Sequence, residues 1–377
     1  MEHVKDEDRE YDLWWAVASE FSGIRSVSDV RKAGSARGLF FAKEEELKTR
    51  YGFGQKAAEH ILYSRKNWNY EKKLRELDEK RIRFIPYYDA KYPKRLLQTK
   101  GFPFALFVMG ELPEENLPAV ALIGARECSE YGRSVATYFG RELALAGVNV
   151  ISGMAIGIDG IGQQEALSAG GKSYAVLGCG PDVCYPYANR KLYERLKEKG
   201  GLISEYGPGF KAVSWHFPAR NRILAGISDL VIVVEAKEKS GTLITVDMAL
   251  DAGREIMVIP GRITDPMSMG CNRLWKAGAN VATCVEDVLM LLKDSGYSFE
   301  KNADFRSDGE TFKNKIHLES EEELVYSCFD LYAKNAEEAL KNTGISYQDR
   351  LRILTELEWK GLLREVGCGY YVQTPSL

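Results

Sequence analysis

The sequence predicts an α/β protein. A Rossmann-like, doubly wound parallel sheet forms its centre, a helical domain precedes it, and a small winged-helix domain ends the chain. Three observations predict this. From residue 119 onward, short apolar runs alternate with helical stretches. Those runs are nearly continuous in apolar residues rather than alternating, as in strands covered on both faces. At 377 residues the chain is also too long for one ordinary domain.

The N-terminal region, residues 1–84, reads as short helices over 11–21, 28–32, 44–50 and 55–67. Together they suggest a domain of the SAM or helix-hairpin-helix type. Gly52 and Gly54 precede the last of these helices. Two glycines there suit a turn between helices; backbone amides of such a turn also suit a phosphate, but a lone Gly-x-Gly is weak support for that. A connecting stretch follows over 70–118, where Pro86, Pro93, Pro103, Pro113 and Pro118 exclude long helices. The apolar run 105–109 inside it predicts a strand that joins the next sheet.

The core domain is expected over residues 85–293. Its strands fall at 119–124, 148–152, 173–177, 201–205, 230–234, 255–259 and 280–283. Its helices fall at 129–146, 159–169, 189–199, 243–252 and 272–276. Residues 294–320 are polar and read as a linker. In the tail, residues 321–377, helices over 322–331, 335–343 and 347–360 precede a hairpin of 362–366 with 370–372. Three helices and a hairpin describe a winged helix.

Composition narrows the function classes. The first ten residues are dense in charge, with no apolar segment of a secretory signal. No apolar run approaches the roughly 18 residues of a membrane-spanning helix. A cytoplasmic protein without membrane partners is therefore expected. The seven cysteines follow no disulfide framework, and the nearest pair, Cys179 and Cys184, lacks the further ligands of a zinc site. No metal and no cofactor is expected. With a net charge of −3, any nucleic-acid surface must be a local basic patch.

In an open parallel sheet, ligands sit beyond the carboxyl ends of the strands. Those ends are rich here in groups that hold anions: Gly124-Ala125-Arg126, Ser152-Gly153, Gly178-Cys179-Gly180, Ser240-Gly241-Thr242 after Lys237 and Lys239, and Pro260-Gly261-Arg262. Glycines allow close backbone approach, and amides at helix starts attract phosphate. The chain has no Walker A motif: Ala166 stands where the glycine before Gly171-Lys172-Ser173 belongs. The first core strand also lacks the dinucleotide glycine fingerprint. A second feature is Trp215-His216-Phe217-Pro218-Ala219-Arg220-Asn221-Arg222, expected in a loop after the fourth core strand. Aromatic faces stack bases, arginines meet phosphates and Asn meets a base edge. The competing expectation is that the arginines close onto sheet carboxylates such as Glu205 or Glu235.

Catalysis finds little support. No Ser/His/Asp or Cys/His arrangement is evident, and among His3, His60, His216 and His317 only His216 lies near the predicted site. Asp159, Glu205, Glu235 and Asp247 read as capping or pairing carboxylates. In the tail, eleven acidic residues face six basic ones over residues 318–377, a net charge of −5. Reading a duplex groove requires neutralising phosphates, so the tail is expected to pack or to bind protein.

Taken in order, these motifs resemble the DNA processing protein A (DprA/Smf) family. The matching stretches are ALIGAR at 121–126, VISGMAIGID at 150–159, AVLGCG at 175–180, YPYANR at 185–190, LISEY at 202–206, FPARNRI at 217–223, VIVVEAKEKSGTLIT at 231–245, VIPG at 258–261 and GCNRL at 270–274. The resemblance implies a protein that is not an enzyme. It implies single-stranded DNA binding, a homodimer formed through the core, and loading of the RecA recombinase, notably in natural transformation. It assigns DNA contacts to Gly124, Arg126, Ser152, Gly153, Phe217, Arg220, Asn221, Arg222, Ser240, Gly241 and Thr242. The chain departs from the family pattern at Ala125, Ile156, Gln163 and Ala219, where Ser or Thr, Arg, His and a basic residue are common; the missing charge at Ile156 predicts weaker DNA binding. Two other readings stand beside this one: a nucleotide-binding enzyme of the phosphoribohydrolase type, and a nucleotide sensor that signals through the acidic tail.

Overall fold

The computed structural model describes residues 8–22, 30, 34–299, 318, 320–330 and 332–374. The helix expected over 28–32 lies outside the described residues except for Val30, as does most of the linker expected over 294–320.

The N-terminal helices are α1 (Arg9–Ser22), α2 (Ala36–Phe41), α3 (Glu44–Thr49), α4 (Gln55–Lys66) and α5 (Tyr70–Glu79). Gly52 takes a φ of 73° in the turn before α4, and Gly54 is the residue that starts that helix. The first strand, β1 (Ile82–Pro86), follows; then come the short helix α6 (Lys94–Leu97) and β2 (Ala105–Gly110). Helix α5 and strand β1 were not expected from the sequence. The prolines bear only on the chain from Pro86 onward, and the Asn69 side chain accepts the Lys72 amide at 2.8 Å to start α5. β1 also runs across the boundary expected between residues 84 and 85.

The core continues as β3 (Ala119–Ile123), α7 (Glu130–Leu145), β4 (Asn149–Ser152), α8 (Ile158–Ser168), β5 (Ser173–Val176), α9 (Arg190–Lys199), β6 (Gly200–Ser204), α10 (His216–Ile227), β7 (Leu230–Val233), α11 (Gly241–Asp251), β8 (Glu255–Val258), α12 (Met269–Lys276), β9 (Asn280–Val281) and α13 (Val285–Asp294). All nine strands form one sheet in the order β1-β2-β6-β5-β4-β3-β7-β8-β9. The seven from β3 to β9 are parallel, whereas β2 pairs antiparallel with both β6 and β1. The sheet is thus mostly parallel, and the expectation of a purely parallel one is corrected at one edge. Antiparallel pairing needs no crossover helix, so β1 and β2 join without the helical spacing that marked the other strands.

Two buried clusters cover the faces of the sheet. One includes Ile151, Tyr174, Val231 and Ile223 of α10; the other includes Val120, Leu122, Phe139 of α7 and Leu289 of α13. A third joins Trp14 and Trp15 of α1 to Phe84, Phe107 and Leu202 at the antiparallel edge. Helix α13, also unexpected, buries Val285, Val288, Leu289 and Leu292, a helical spacing.

In the tail, α14 (Ser320–Ser327), β10 (Lys334–Asn335), α15 (Ala336–Ala339), α16 (Tyr347–Trp359), β11 (Leu363–Gly367) and β12 (Tyr370–Gln373) enclose a small core that includes Val325, Ile353, Leu357 and Leu363. The strand order is β10-β12-β11. The helix expected over 335–343 is confined to α15. The chain turns beyond it, with the Thr343 hydroxyl on the Leu340 carbonyl at 2.8 Å and Gly344 at a φ of 72°. Among the described residues, no helix is long and apolar enough to cross a membrane.

Candidate functional site

The strand order reverses at β3. The chain steps from β3 through β4 and β5 to β6 on one side, then places β7, β8 and β9 on the other. A crevice forms outside the carboxyl ends at such a switch point. A cavity of about 540 Å³ lies there. Its walls come from Gly124, Ala125 and Arg126 after β3, Asp159 of α8, Phe217, Arg220 and Asn221 of α10, and Ser240, Gly241 and Thr242 at the start of α11.

The segment expected as a loop around Arg220 is helix α10, and this decides which of its side chains reach the cavity. Pro218 is tolerated there because it lies in the first turn, where backbone N–H groups have no partner within the helix. Residues two apart on a helix point about 200° apart. Arg220 and Asn221 line the cavity, but Arg222 turns away and pairs with Glu205. For Arg222, closure onto a sheet carboxylate is the outcome. His216 is buried against Tyr206 and Phe210, with ring centroids at 4.3 and 5.0 Å, and its Nδ1 lies 3.2 Å from the Gly178 carbonyl. It is a packing residue.

Arg220 is only 6% exposed. One of its terminal nitrogens donates to the Val176 carbonyl, whereas its Nε has no hydrogen-bond partner among the described residues. Asp159, also buried, accepts the Gly153 amide at 3.1 Å. Burial pushes the Asp159 carboxyl up and the Arg220 guanidinium down, and the opposite charge of each restrains the shift of the other. Gly153 leaves room for the Arg220 guanidinium, which a Cβ there would displace. At Gly157, φ is 84° and a Cβ would strike the Ala125 and Arg126 carbonyls. That close approach holds the Arg126 backbone against the start of α8.

Arg126 stands exposed at the mouth, and its side chain makes no hydrogen bond or ion pair with any described residue. Ser240 caps α11: its Oγ accepts the Thr242 amide at 3.2 Å and donates to Thr242 Oγ1 at 3.0 Å. Thr242 Oγ1 in turn donates to the Gly124 carbonyl at 3.2 Å, tying the end of β3 to the start of α11.

Other expectations are corrected. Ser152 and Gly153 are buried and do not line the cavity; the Ser152 hydroxyl donates to the Leu122 carbonyl at 2.7 Å. They support the wall instead of forming it. Gly178, Gly180, Lys237 and Lys239 are not cavity residues, and Arg262 lies 3.5 Å from the centroid of the Tyr332 ring. Gln163 is a buried bracing group, accepting the Met154 amide and donating to the Tyr174 carbonyl, both at 3.0 Å. Cys179 and Cys184 are free thiols. Tyr185 had not been singled out as a site residue. It lines the cavity and stacks on Phe217 with centroids 5.3 Å apart and planes 30° apart. Its place as the first residue of the YPYANR stretch at 185–190 was the available signal.

An α/β protein with a ligand-sized crevice at the switch point of a mostly parallel sheet is the class this geometry defines. The family model of DNA recombination-mediator protein A matches residues 83–293, more than half of the chain. The chain belongs to that family, the one of DprA and Smf. It is 44% identical over 203 residues to DNA processing protein DprA of Streptococcus pneumoniae, covering 53% of this chain and 71% of that protein. The X-ray structure of DprA from S. pneumoniae superimposes with a TM-score of 0.57 at 32% identity, covering 73% of this chain and 98% of that one. DNA processing protein A from Helicobacter pylori, whose structure concerns its single-stranded DNA binding mode, gives a TM-score of 0.52 at 29% identity, over 56% of this chain and 96% of that one.

Proposed function

We propose that this protein is a single-stranded DNA-binding recombination mediator rather than an enzyme. The observation that carries the reading is the pairing of Arg126, open and unpaired at the mouth, with the stacked Tyr185 and Phe217 on the same cavity. A cation for the phosphate and an aromatic platform for the base are what an exposed strand needs. The amides at the start of α11 add an anion-attracting wall. DNA contacts are assigned to Gly124, Arg126, Phe217, Arg220, Asn221, Ser240, Gly241 and Thr242. The single-stranded DNA binding described for the H. pylori protein supports the same reading.

The phosphoribohydrolase reading finds less support. Asp159 is the one carboxylate among the cavity residues, and it is buried and already bonded to the Gly153 amide. In the mediator reading, residues 85–293 are the DNA-binding core, residues 1–84 a helical domain, 294–320 a linker and 321–377 a winged-helix domain that meets protein rather than duplex. The core forms a homodimer and hands its strand to RecA. Exposed apolar side chains near the β9 edge, Ile263, Met269 and Trp275 among them, support self-association.

The test is fluorescence anisotropy of labelled oligo-dT, titrated with wild type and with Arg126→Ala over a salt series. Wild type is expected to bind, and more weakly as salt rises. Loss of one phosphate contact is expected to lower the slope of log K against log salt by about 0.7. Equal binding by both proteins would remove Arg126 from the site. Absence of wild-type binding at low salt would overturn the reading.

A further inference from the structure

A second concavity, of about 460 Å³, adjoins the first, and Arg126 lines both. It runs between α8 and the start of α9 toward α7. Two further cations border it. Lys191 is exposed and its side chain makes no hydrogen bond or ion pair with any described residue. Arg133 has its Nε 3.5 Å from Glu130, a half-buried pair within one helix, too long for a hydrogen bond of good geometry. Glu165 is the one carboxylate among the lining residues. Between the cations lies apolar surface, including Ile156, which is 51% exposed. That side chain sits inside the groove, where its departure from a basic residue was noted in the sequence.

We infer that this groove carries the next nucleotides of the strand held in the cavity. The backbone passes over Arg126 and continues along Lys191 and Arg133, with sugars and bases against Ile156. Each concavity has the size of a site for one small ligand, about 300–1,000 Å³. Two such sites joined at one unpaired arginine suit a chain of linked phosphates better than a single nucleotide. The inference rests on the proposed single-strand reading of the cavity and extends it to a footprint and a direction.

The experiment compares oligo-dT of about five and about twenty nucleotides, spanning the usual single-strand site sizes, with wild type and with Arg133→Ala/Lys191→Ala. Register statistics alone raise the affinity for the longer strand, so the salt slope is the readout. Two extra phosphates at about 0.7 each predict a slope steeper by about 1.4 for the longer strand. The double variant is expected to bring that slope back to the short-strand value and to leave short-strand binding unchanged. Both residues lie on the surface, and thermal melting checks that the variant folds like wild type. Equal slopes for the two lengths in wild type would overturn the inference and leave the cavity reading standing, as would an unchanged long-strand slope in the variant. Failure of wild type to bind either length would overturn the reading beneath it.

Discussion

At the amino ends of the parallel strands charged groups pair with one another, whereas at the carboxyl ends Arg126 stands open to solvent. Before β7, Asp229 accepts the Ala119 amide at 2.8 Å and pairs with Arg95 Nε at 2.9 Å. Arg95 also donates to the Glu115 and Leu117 carbonyls at 3.0 and 2.7 Å. Before β8, Arg254 donates to the Arg95 and Gly226 carbonyls, each at 2.9 Å. Before β5, Lys172 meets Glu111 and Glu114 at 3.2 and 2.9 Å. At the other edge Arg126 has no such partner among the described residues. The same residue types serve stability at one edge and remain open to a ligand at the other. The difference lies in whether the cation finds a partner within the protein.

Substitutions can break this contrast, and the largest effect is expected at the amino edge. Asp229→Ala leaves Arg95 buried without its carboxylate, and a loss of about 3–5 kcal/mol is expected in denaturant unfolding. A loss below about 1 kcal/mol would mean that the carbonyls alone satisfy Arg95. Next is Ser240→Ala, which removes the cap of α11 and is expected to cost about 1 kcal/mol by the same measurement. Lys172→Met tests the exposed end of the network. Its pairs are open to solvent, so a change within about 0.5 kcal/mol is expected. Smallest of all is Arg126→Ala: no shift in thermal midpoint, although oligo-dT binding falls by about 1.5–3 kcal/mol, the range for a charge-assisted contact. A variant that lost stability along with binding would assign Arg126 to the amino-edge type.

Much of the fold was legible because its signals are local. The seven parallel strands read as apolar runs, and α7, α8, α9 and α11 came within a residue or two of their observed limits. β1 was missed because it begins beside Lys80 and Arg81 and is interrupted by Arg83, so no apolar run marks it. α13 carried a readable helical spacing that was overlooked. The site was legible as a collection of strand ends but not as a selection among them. Arg220 and Arg222 are equivalent in the sequence and opposite in the structure, because a loop leaves their directions open and a helix does not. Ser152 read as a site position, yet it is fully buried and bonded to backbone.

By itself the sequence determined the class of the core, the alternation of strand and helix, the glycine-rich strand ends and the family, since each depends on residues near one another along the chain. Only the tertiary structure decided which strand ends meet, that β1 and β2 close the sheet antiparallel, that Tyr185 stacks on Phe217, and that Arg126 stands between two concavities. Those outcomes depend on strand order and on the rotational phase of α10. Both are set by how distant segments pack together, and neither is written in any one stretch of residues.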